Sequence, residues 1–509
     1  MSEIIGYMMT ALGVVFSPVG LLSLFLSVLI GLLMGIVPGL TVTMAIALLT
    51  GLTYSFDGPL AVLILIGVAI GAISGGCQTA ILMNIPGTPA SAATAMDGYP
   101  LGKQGKAGLA IFCANASSFS GTIVGLLCVL FFTPIISRLA LKFNSQEMFL
   151  LAVFGIVICG NLTSGGRPVK GWIAGFLGLL FSQVGLDTVD SMARFTFGNM
   201  NIRGGISLLP VMIGLFGFPE ILDAFTPFAR KIIPISKYSV KEGFLILRNN
   251  ITTLIRSGIL GVTMGIIPGV GEDVGGWLSY WATKKMRKTK PWGTGVIDGV
   301  IASETGNNAA ICGAMIPVMS LAIPGSAPTA VLLAAFWMHG YRPGPLLMQD
   351  TPYFLYYVVV FMFFSAIMMW FLAWNISRFS VRILQIKGEL LMPIIFVCCV
   401  IGAYVISNRM FDIMLMFWFG ILGIIMRQMK YPSAPFLLGI ILGNMADENL
   451  RRALILNNGN IESFFTRPIS IFFIVFILVV MLPQIPFVAK GMSALNRALF
   501  AGKKADKAL

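Results

Sequence analysis

This sequence predicts an all-α polytopic membrane protein, and three observations carry the prediction. Of 509 residues, 57% are hydrophobic and only 11% are charged, where a soluble globular chain carries about 25% charged residues. Mean hydropathy is +0.91. The apolar runs are interrupted by 57 Gly and 26 Pro, and the most distinctive interruptions recur in the same order in the two halves. A chain with so few polar groups cannot cover its surface against water, so lipid must solvate it. At about 20 apolar residues per span, there is material for about ten to fourteen spans and none for a sizeable soluble domain.

The elements follow in chain order. Apolar runs at 13–36, 59–83, 107–136, 147–160, 169–185 and 206–222 fill the first half. A polar stretch follows at 223–250, and then runs at 251–267, 297–322, 352–376, 390–407, 411–427, 435–446 and 468–489. Runs 147–160 and 435–446 are too short to span alone and are expected to be half-helices or to be extended by polar neighbours. Runs 41–55 and 326–339 each follow Pro-Gly and read as re-entrant or broken helices. The organisation expected is a first repeat over 1–222, a cytoplasmic linker over 223–250, a second repeat over 251–489 and a basic cytoplasmic tail over 490–509.

The charge pattern assigns sides. The net charge is +14, and the Lys and Arg residues gather in short loops, as the positive-inside rule describes. Lys284, Lys285, Arg287, Lys288 and Lys290 form one cluster, Arg230, Lys231, Lys237, Lys241 and Arg248 another, and Lys490, Arg497, Lys503, Lys504 and Lys507 a third. All three read as cytoplasmic, and no nucleic-acid partner is expected. The start, Met1-Ser2-Glu3-Ile4, has no basic n-region, so a cleaved signal peptide is not expected.

Other classes are excluded by composition. His339 is the sole histidine, which removes histidine metal clusters and most Ser-His-Asp or Cys-His machinery. The seven cysteines lie in apolar runs without CxxC and read as small hydrophobes. There is no P-loop motif. The aromatic run Phe361–Trp374 reads as helix-packing or lipid-facing surface.

The repeats carry the functional signal. Gly35-Ile36-Val37-Pro38-Gly39-Leu40 returns as Gly265-Ile266-Ile267-Pro268-Gly269-Val270. Ile85-Pro86-Gly87-Thr88 returns as Ile323-Pro324-Gly325-Ser326. Gly98-Tyr99-Pro100 is matched by Gly340-Tyr341-Arg342-Pro343. Pro-Gly breaks a helix, because Pro removes a donor and Gly permits backbone angles that other residues resist. At membrane depth, freed backbone is tolerated only inside protein or beside a cavity. Paired breaks in two repeats therefore point to a transport site. The half-helix that restarts after each break offers unpaired N–H groups and a positive dipole end, which suit a carboxylate.

The candidate substrate-binding residues are those at and after the breaks: Pro38, Gly39, Thr41, Thr43, Asn84, Pro86, Gly87, Thr88, Ser91, Pro268, Gly269, Pro324, Gly325, Ser326 and Thr329. Helix capping is the alternative reading of the hydroxyls, Thr94 included. Two polar clusters precede the second breaks, Ser74–Thr79 and Ser303–Asn308. Amides and acids are costly in lipid and should face a cavity, so Asn307 and Asn308 join the substrate set. Glu304, Glu272, Asp273 and Asp97 are the candidates for cation coupling, with ion pairing, capping or a turn as the structural alternatives.

Five stretches of this sequence resemble one family. They are GIVPGLTVTMAIAL (35–48), GCQTAILMNIPGTPASAATAMDGYPLGKQGKAG (76–108), RFTFG (194–198), GIIPGVGEDV (265–274) and ETGNNAAICGAMIPVMSLAIPGSAPTAVLL (304–333). The chain resembles the large membrane subunit of tripartite tricarboxylate transporters, with little diagnostic signature beyond about residue 350. The resemblance implies a secondary transporter of the bacterial inner membrane. Its partners would be a small four-helix membrane subunit and a periplasmic binding protein that delivers a carboxylate. It also implies substrates such as citrate and other organic acids, imported on a cation gradient. No cofactor is expected beyond Na+ or H+ as the coupling ion. An intramembrane enzyme and a passive anion channel are the competing classes. An intramembrane protease would need a Ser/Lys or Asp/Asp pair, and none stands out.

Overall fold

A computed structural model describes residues 2–37, 39–164, 167–187, 190, 192–224, 232–385, 388–405 and 407–482. In chain order its main helices are α1 (Ser2–Phe16), α2 (Pro18–Ile36), α3 (Val42–Thr53), α4 (Gly58–Met83), α5 (Ala92–Leu101), α6 (Ala107–Ala140), α7 (Ser145–Thr163) and α8 (Pro168–Ser182). They continue as α9 (Leu208–Leu222), α10 (Val240–Asn249), α11 (Ile251–Ile266), α12 (Gly271–Met286), α13 (Ile297–Leu321) and α14 (Ala327–Met338). The remainder are α15 (Tyr353–Ser377), α16 (Gly388–Val405), α17 (Met410–Gln428), α18 (Ser433–Leu456) and α19 (Pro468–Met481). The strands among the described residues are β1 (Gly185–Leu186) and β2 (Ala193–Arg194), an antiparallel pair. The molecule is thus an all-α polytopic membrane protein.

Helix boundaries follow the apolar runs closely where those runs are unbroken, as in α4, α6, α15 and α17. The two short runs grow by adding polar residues: α7 has 19 residues and α18 has 24. Of the polar stretch 223–250, residues 240–249 form α10, whose first turn is capped by Ser239 accepting from Glu242 N; residues 225–231 lie outside the described residues. So does the predicted basic tail at 490–509. The half-helix expected after the third break is α12, although Gly and charge keep it out of the apolar runs.

The chain divides into two compact units, one of residues 1–142 and 206–428, the other of residues 143–205 and 429–509. In the first unit α13 is central and buried from Asp298 to Ser320. It packs against α6, α11, α12 and α5. α4, buried along nearly its whole length, packs against α2, α3 and α15. Both pairings use backbone-to-backbone approach, the mode by which membrane helices associate without a hydrophobic driving force. A Cβ on Gly75 would lie 2.5 Å from Leu32 O, and one on Gly313 would lie 2.6 Å from Val262 O. The aromatic run serves both packing and outer surface: Phe361 is buried and Trp370 stacks on Trp374, while Phe363 and Phe371 are exposed.

In the second unit α18 packs against α7 and α8, and α19 against α7. Charges close one end of it. Arg194 reaches Asp187 at 2.8 Å and Asp447 at 2.9 Å, and Arg451 reaches Asp187 at 2.6 Å. Glu147, fully buried, accepts from Ser470 and pairs with Arg467 at 2.9 Å. An open cavity of about 310 Å³ sits beside this network, lined by Gln183, Arg203 and Asn444 among others.

Candidate functional site

The site lies in the first unit, where helices stop short. α3 and α14 have 12 residues each and α5 has 10. At 1.5 Å per residue they reach about 15–18 Å, about half of the hydrocarbon core. Each starts just after a break, and the breaks have matching geometry in the two halves. α2 ends at Ile36 and α11 at Ile266; Gly39 has φ +90 and Gly269 has φ +77, angles that glycine adopts without cost. α4 ends on Asn84 and α13 on Ala322, both left-handed at φ 57. Pro268 and Pro324 are buried, and Pro86 is half-buried; Pro38 lies outside the described residues. A Cβ on Gly87 would lie 2.2 Å from Gly35 O, and one on Gly325 would lie 2.3 Å from Gly265 O. At both positions the second break rests directly on the carbonyl that ends the first.

The hydroxyls after the breaks cap the restarting helices. Thr41 Oγ1 accepts from Met44 N at 3.2 Å. Ser91 Oγ accepts from Thr88 N at 3.4 Å and donates to Thr88 O at 2.8 Å. Thr329 Oγ1 accepts from Ser326 N at 2.9 Å. Thr43 is buried without a capping bond of its own. One residue here was not foreseen. Glu220 on α9 accepts from Thr41 N at 3.3 Å, so a carboxylate stands at the N-terminus of α3.

The two polar clusters sit mid-helix, on α4 and α13, and meet. Ser74 donates to Asn308 Oδ1 at 2.8 Å, and Asn308 Nδ2 donates to Glu304 O at 3.0 Å. Asn308 is thereby fully engaged in joining the helices. Asn307 is the opposite case: it is 0% exposed, and neither Oδ1 nor Nδ2 has a hydrogen-bond partner among the described residues. It faces α12, where a Cβ on Gly276 would lie 3.6 Å from its Cβ and 3.1 Å from Ala90 O. Gln78 Nε2, Asn115 Nδ2 and Ser117 Oγ are also buried and unpaired. Each such group costs about 1–3 kcal/mol unless something meets it.

Glu304 is 0% exposed. Thr94 Oγ1 lies 2.5 Å from its Oε1, and Ser118 Oγ lies 3.0 Å from its Oε2. Thr94 comes from α5, just past the second break, so the break brings the hydroxyl to the acid. Ser118 comes from α6 and was missed, because a lone serine in an apolar run gives no signal. The glycine one turn later does give one in hindsight. A Cβ on Gly121 would lie 2.3 Å from Thr305 O, so this glycine lets α6 press against α13.

The other three acids have separate surroundings. Asp97 is fully buried; its Oδ1 accepts from Gly293 N, Gly295 N and Val296 N at 2.8, 3.0 and 2.9 Å, and its Oδ2 accepts from Tyr280 OH at 2.8 Å. It thus fastens α5 to the loop between α12 and α13. Glu272 is buried in the first turn of α12, where Gly271 (φ +62) abuts Ser326, and its Oε2 has no partner among the described residues. Asp273, next to it, is exposed. No group of three or more His, Cys, Asp or Glu side chains suited to a metal occurs among the described residues.

The chain matches the model of the Tripartite tricarboxylate transporter TctA family over residues 21–438. It is 34% identical to an uncharacterized 52.8 kDa protein in the TAR-I ttuC' 3' region of Agrobacterium vitis, over 460 residues that cover 89% of this chain and 91% of the relative. It is 33% identical to an uncharacterized protein in the TAR-II ttuC' 3' region of the same organism, over 211 residues that cover 41% of this chain and 87% of the relative. No solved structure matches it.

Proposed function

Since the chain belongs to the Tripartite tricarboxylate transporter TctA family, and is on that ground a membrane transporter subunit, we propose that it is the subunit through which a small organic acid crosses the bacterial inner membrane. A cation gradient drives import, and the acid is a di- or tricarboxylate of the citrate type. A periplasmic binding protein delivers it, and a small four-helix membrane subunit completes the complex. The observation that carries this reading is Asn307: a fully buried amide with both polar atoms unpaired, beside the turn that follows the Pro86-Gly87 break. Such a group is stabilised only when a ligand or water meets it.

In this reading the substrate carboxylate takes hydrogen bonds from Asn307 Nδ2 and from the backbone at the half-helix starts, which act as a fixed positive end. Side-chain hydroxyls at Thr41, Ser91 and Thr329 each take up one backbone N–H there and fix the geometry of the starts. Glu304, with Thr94 and Ser118, is the coupling site. Glu272 and Asp273 stand at the start of α12 and bind or repel charge there. The four donors around Asp97 give it the role of holding α5, which carries Thr94, in place.

The test is uptake of labelled citrate, with succinate and tartrate as further probes, into proteoliposomes holding the chain with its partner subunits. Asn307→Ala is expected to cut uptake at least tenfold while the protein remains folded by thermal denaturation. Unchanged saturable uptake by Asn307→Ala would overturn the site. Flux that only follows the substrate gradient and never accumulates would overturn active transport in favour of a channel.

A further inference from the structure

We propose that the coupling ion is a proton and that Glu304 carries it, as a neutral carboxylic acid, in the conformation of this structure. This rests on the transporter reading above. The argument is a count of hydrogens. Four oxygens lie in a row: Glu304 Oε1, Thr94 Oγ1, Ser303 Oγ and Gly299 O. The three separations are 2.5, 2.8 and 2.9 Å, each a hydrogen bond. Three bonds need three hydrogens. The two hydroxyls bring two, and a backbone carbonyl brings none. A proton on Oε1 supplies the third. The row then runs in one direction, with Glu304 donating to Thr94, Thr94 to Ser303, and Ser303 sharing its one hydrogen between Gly299 O at 2.9 Å and Val300 O at 3.2 Å. Ser118 Oγ donates to Oε2 at 3.0 Å, and every oxygen is satisfied. With an ionised carboxylate one contact in the row has no hydrogen.

Charge balance points the same way. An ionised Glu304 would need a neutralising cation from one of the helices packed around it. On α11, Arg256 is committed to Thr283 at 2.8 Å and to Met286 at 2.9 Å. In the loop before α13, Arg287 and Lys290 are paired with Asp298 of its first turn. On α4 the titratable group is Cys77, which is buried; α6 carries the buried Cys113, the half-buried Cys128 and, in its last turn, the exposed Arg138. On α5 the titratable groups are Asp97 and Tyr99, and on α12 they are Glu272, Asp273, Tyr280, which donates to Asp97, and the exposed Lys284 and Lys285 of its last turn, with Lys285 over the Trp281 ring. Cys312 on α13 donates toward Thr122 O. No ion pair among the described residues includes Glu304. A bare buried carboxylate is strongly unfavourable, whereas the acid form is an ordinary polar group.

The spacing also argues against a sodium ion here. A hard cation of that size takes oxygens at about 2.3–2.6 Å, which holds neighbouring ligands about 3.3 Å apart. The oxygens here stand closer and are bonded to one another. The step itself is simple. An O–H bond forms on Glu304 with a proton from outside and breaks with a proton released inside. No electron moves and no co-reactant is needed.

Infrared difference spectroscopy of the purified full chain, scanned in pH without any substrate, tests the proton directly. The wild type should show a carboxylic-acid carbonyl band near neutral pH that disappears at high pH. The band should be absent from Glu304→Gln, and in Thr94→Val it should persist with a shifted frequency and titration midpoint. Absence of any band lost in Glu304→Gln, with the variant folded, overturns the proposal. Uptake by the full complex, with citrate as the probe, reads the coupling. A pH gradient should drive accumulation in the wild type, and Glu304→Gln should reduce that at least tenfold while leaving citrate exchange. Accumulation driven equally by a sodium gradient at fixed pH overturns the proposal. If no gradient drives uptake but the band behaves as stated, the transport reading fails and the protonated Glu304 stands.

Discussion

At the residue scale, the informative side chains are those whose polar atoms are either over-committed or unmet. Asp97 takes four hydrogen bonds, three of them from consecutive-region backbone N–H groups. Bonds to an ionised acceptor contribute about 1.5–3 kcal/mol each, and the effects of neighbours are not additive. Asp97→Ala is therefore expected to lower stability by about 3 kcal/mol and Tyr280→Phe by about 1 kcal/mol, read as the midpoint of thermal unfolding in detergent. Ala322 shows the reverse. It sits at φ 57, where a Cβ costs about 1 kcal/mol. Ala322→Gly should raise the unfolding midpoint. Part of this was legible beforehand. Glu304 stands out because an acid in an apolar run demands an explanation. Ser118, Asn115 and Glu220 do not stand out, because a hydroxyl, an amide or an acid near a helix end is common in sequence. Only packing reveals that these three face an acid, a cysteine and a helix start.

At the scale of elements, the breaks position the chemistry. Gly87 and Gly325 each lie on a carbonyl of the preceding broken helix. Gly87→Ala and Gly325→Ala should each destabilise the chain by about 2 kcal/mol, the range for overpacking, and each should reduce uptake at least tenfold. Equal effects are expected, since the two contacts match within 0.1 Å in the distances of 2.2 and 2.3 Å. Hydropathy found α4, α6, α15 and α17 within a few residues because their polar residues are few and uncharged along most of their length. It shortened α18 for a physical reason. Asp447 and Arg451 are inside the helix, and they are tolerated there because they pair with Arg194 and Asp187. A sequence shows the charge but not the partner that neutralises it. α12 lies outside the apolar runs for the same reason, since Glu272, Asp273 and three glycines stand in its first half, and only the break before it announces a restarting helix.

At the scale of the molecule, sidedness follows from charge. The loop between α12 and α13 carries Arg287, Lys288 and Lys290, and the positive-inside rule predicts that it faces the cytoplasm. A cysteine introduced at Lys288 should react with an impermeant maleimide in inverted vesicles and stay unlabelled in intact cells. Labelling in intact cells would reverse the assignment of sides. That experiment depends on the native thiols, and here their placement has a practical consequence. Cys77, Cys113, Cys159, Cys312 and Cys399 are closed inside the helix packing, and only Cys128 and Cys398 are partly open. The folded chain is therefore nearly silent toward thiol reagents. Two conservative replacements should yield a clean background for spin labels or fluorophores, and a burst of five further reactive thiols would report loss of the packed interior.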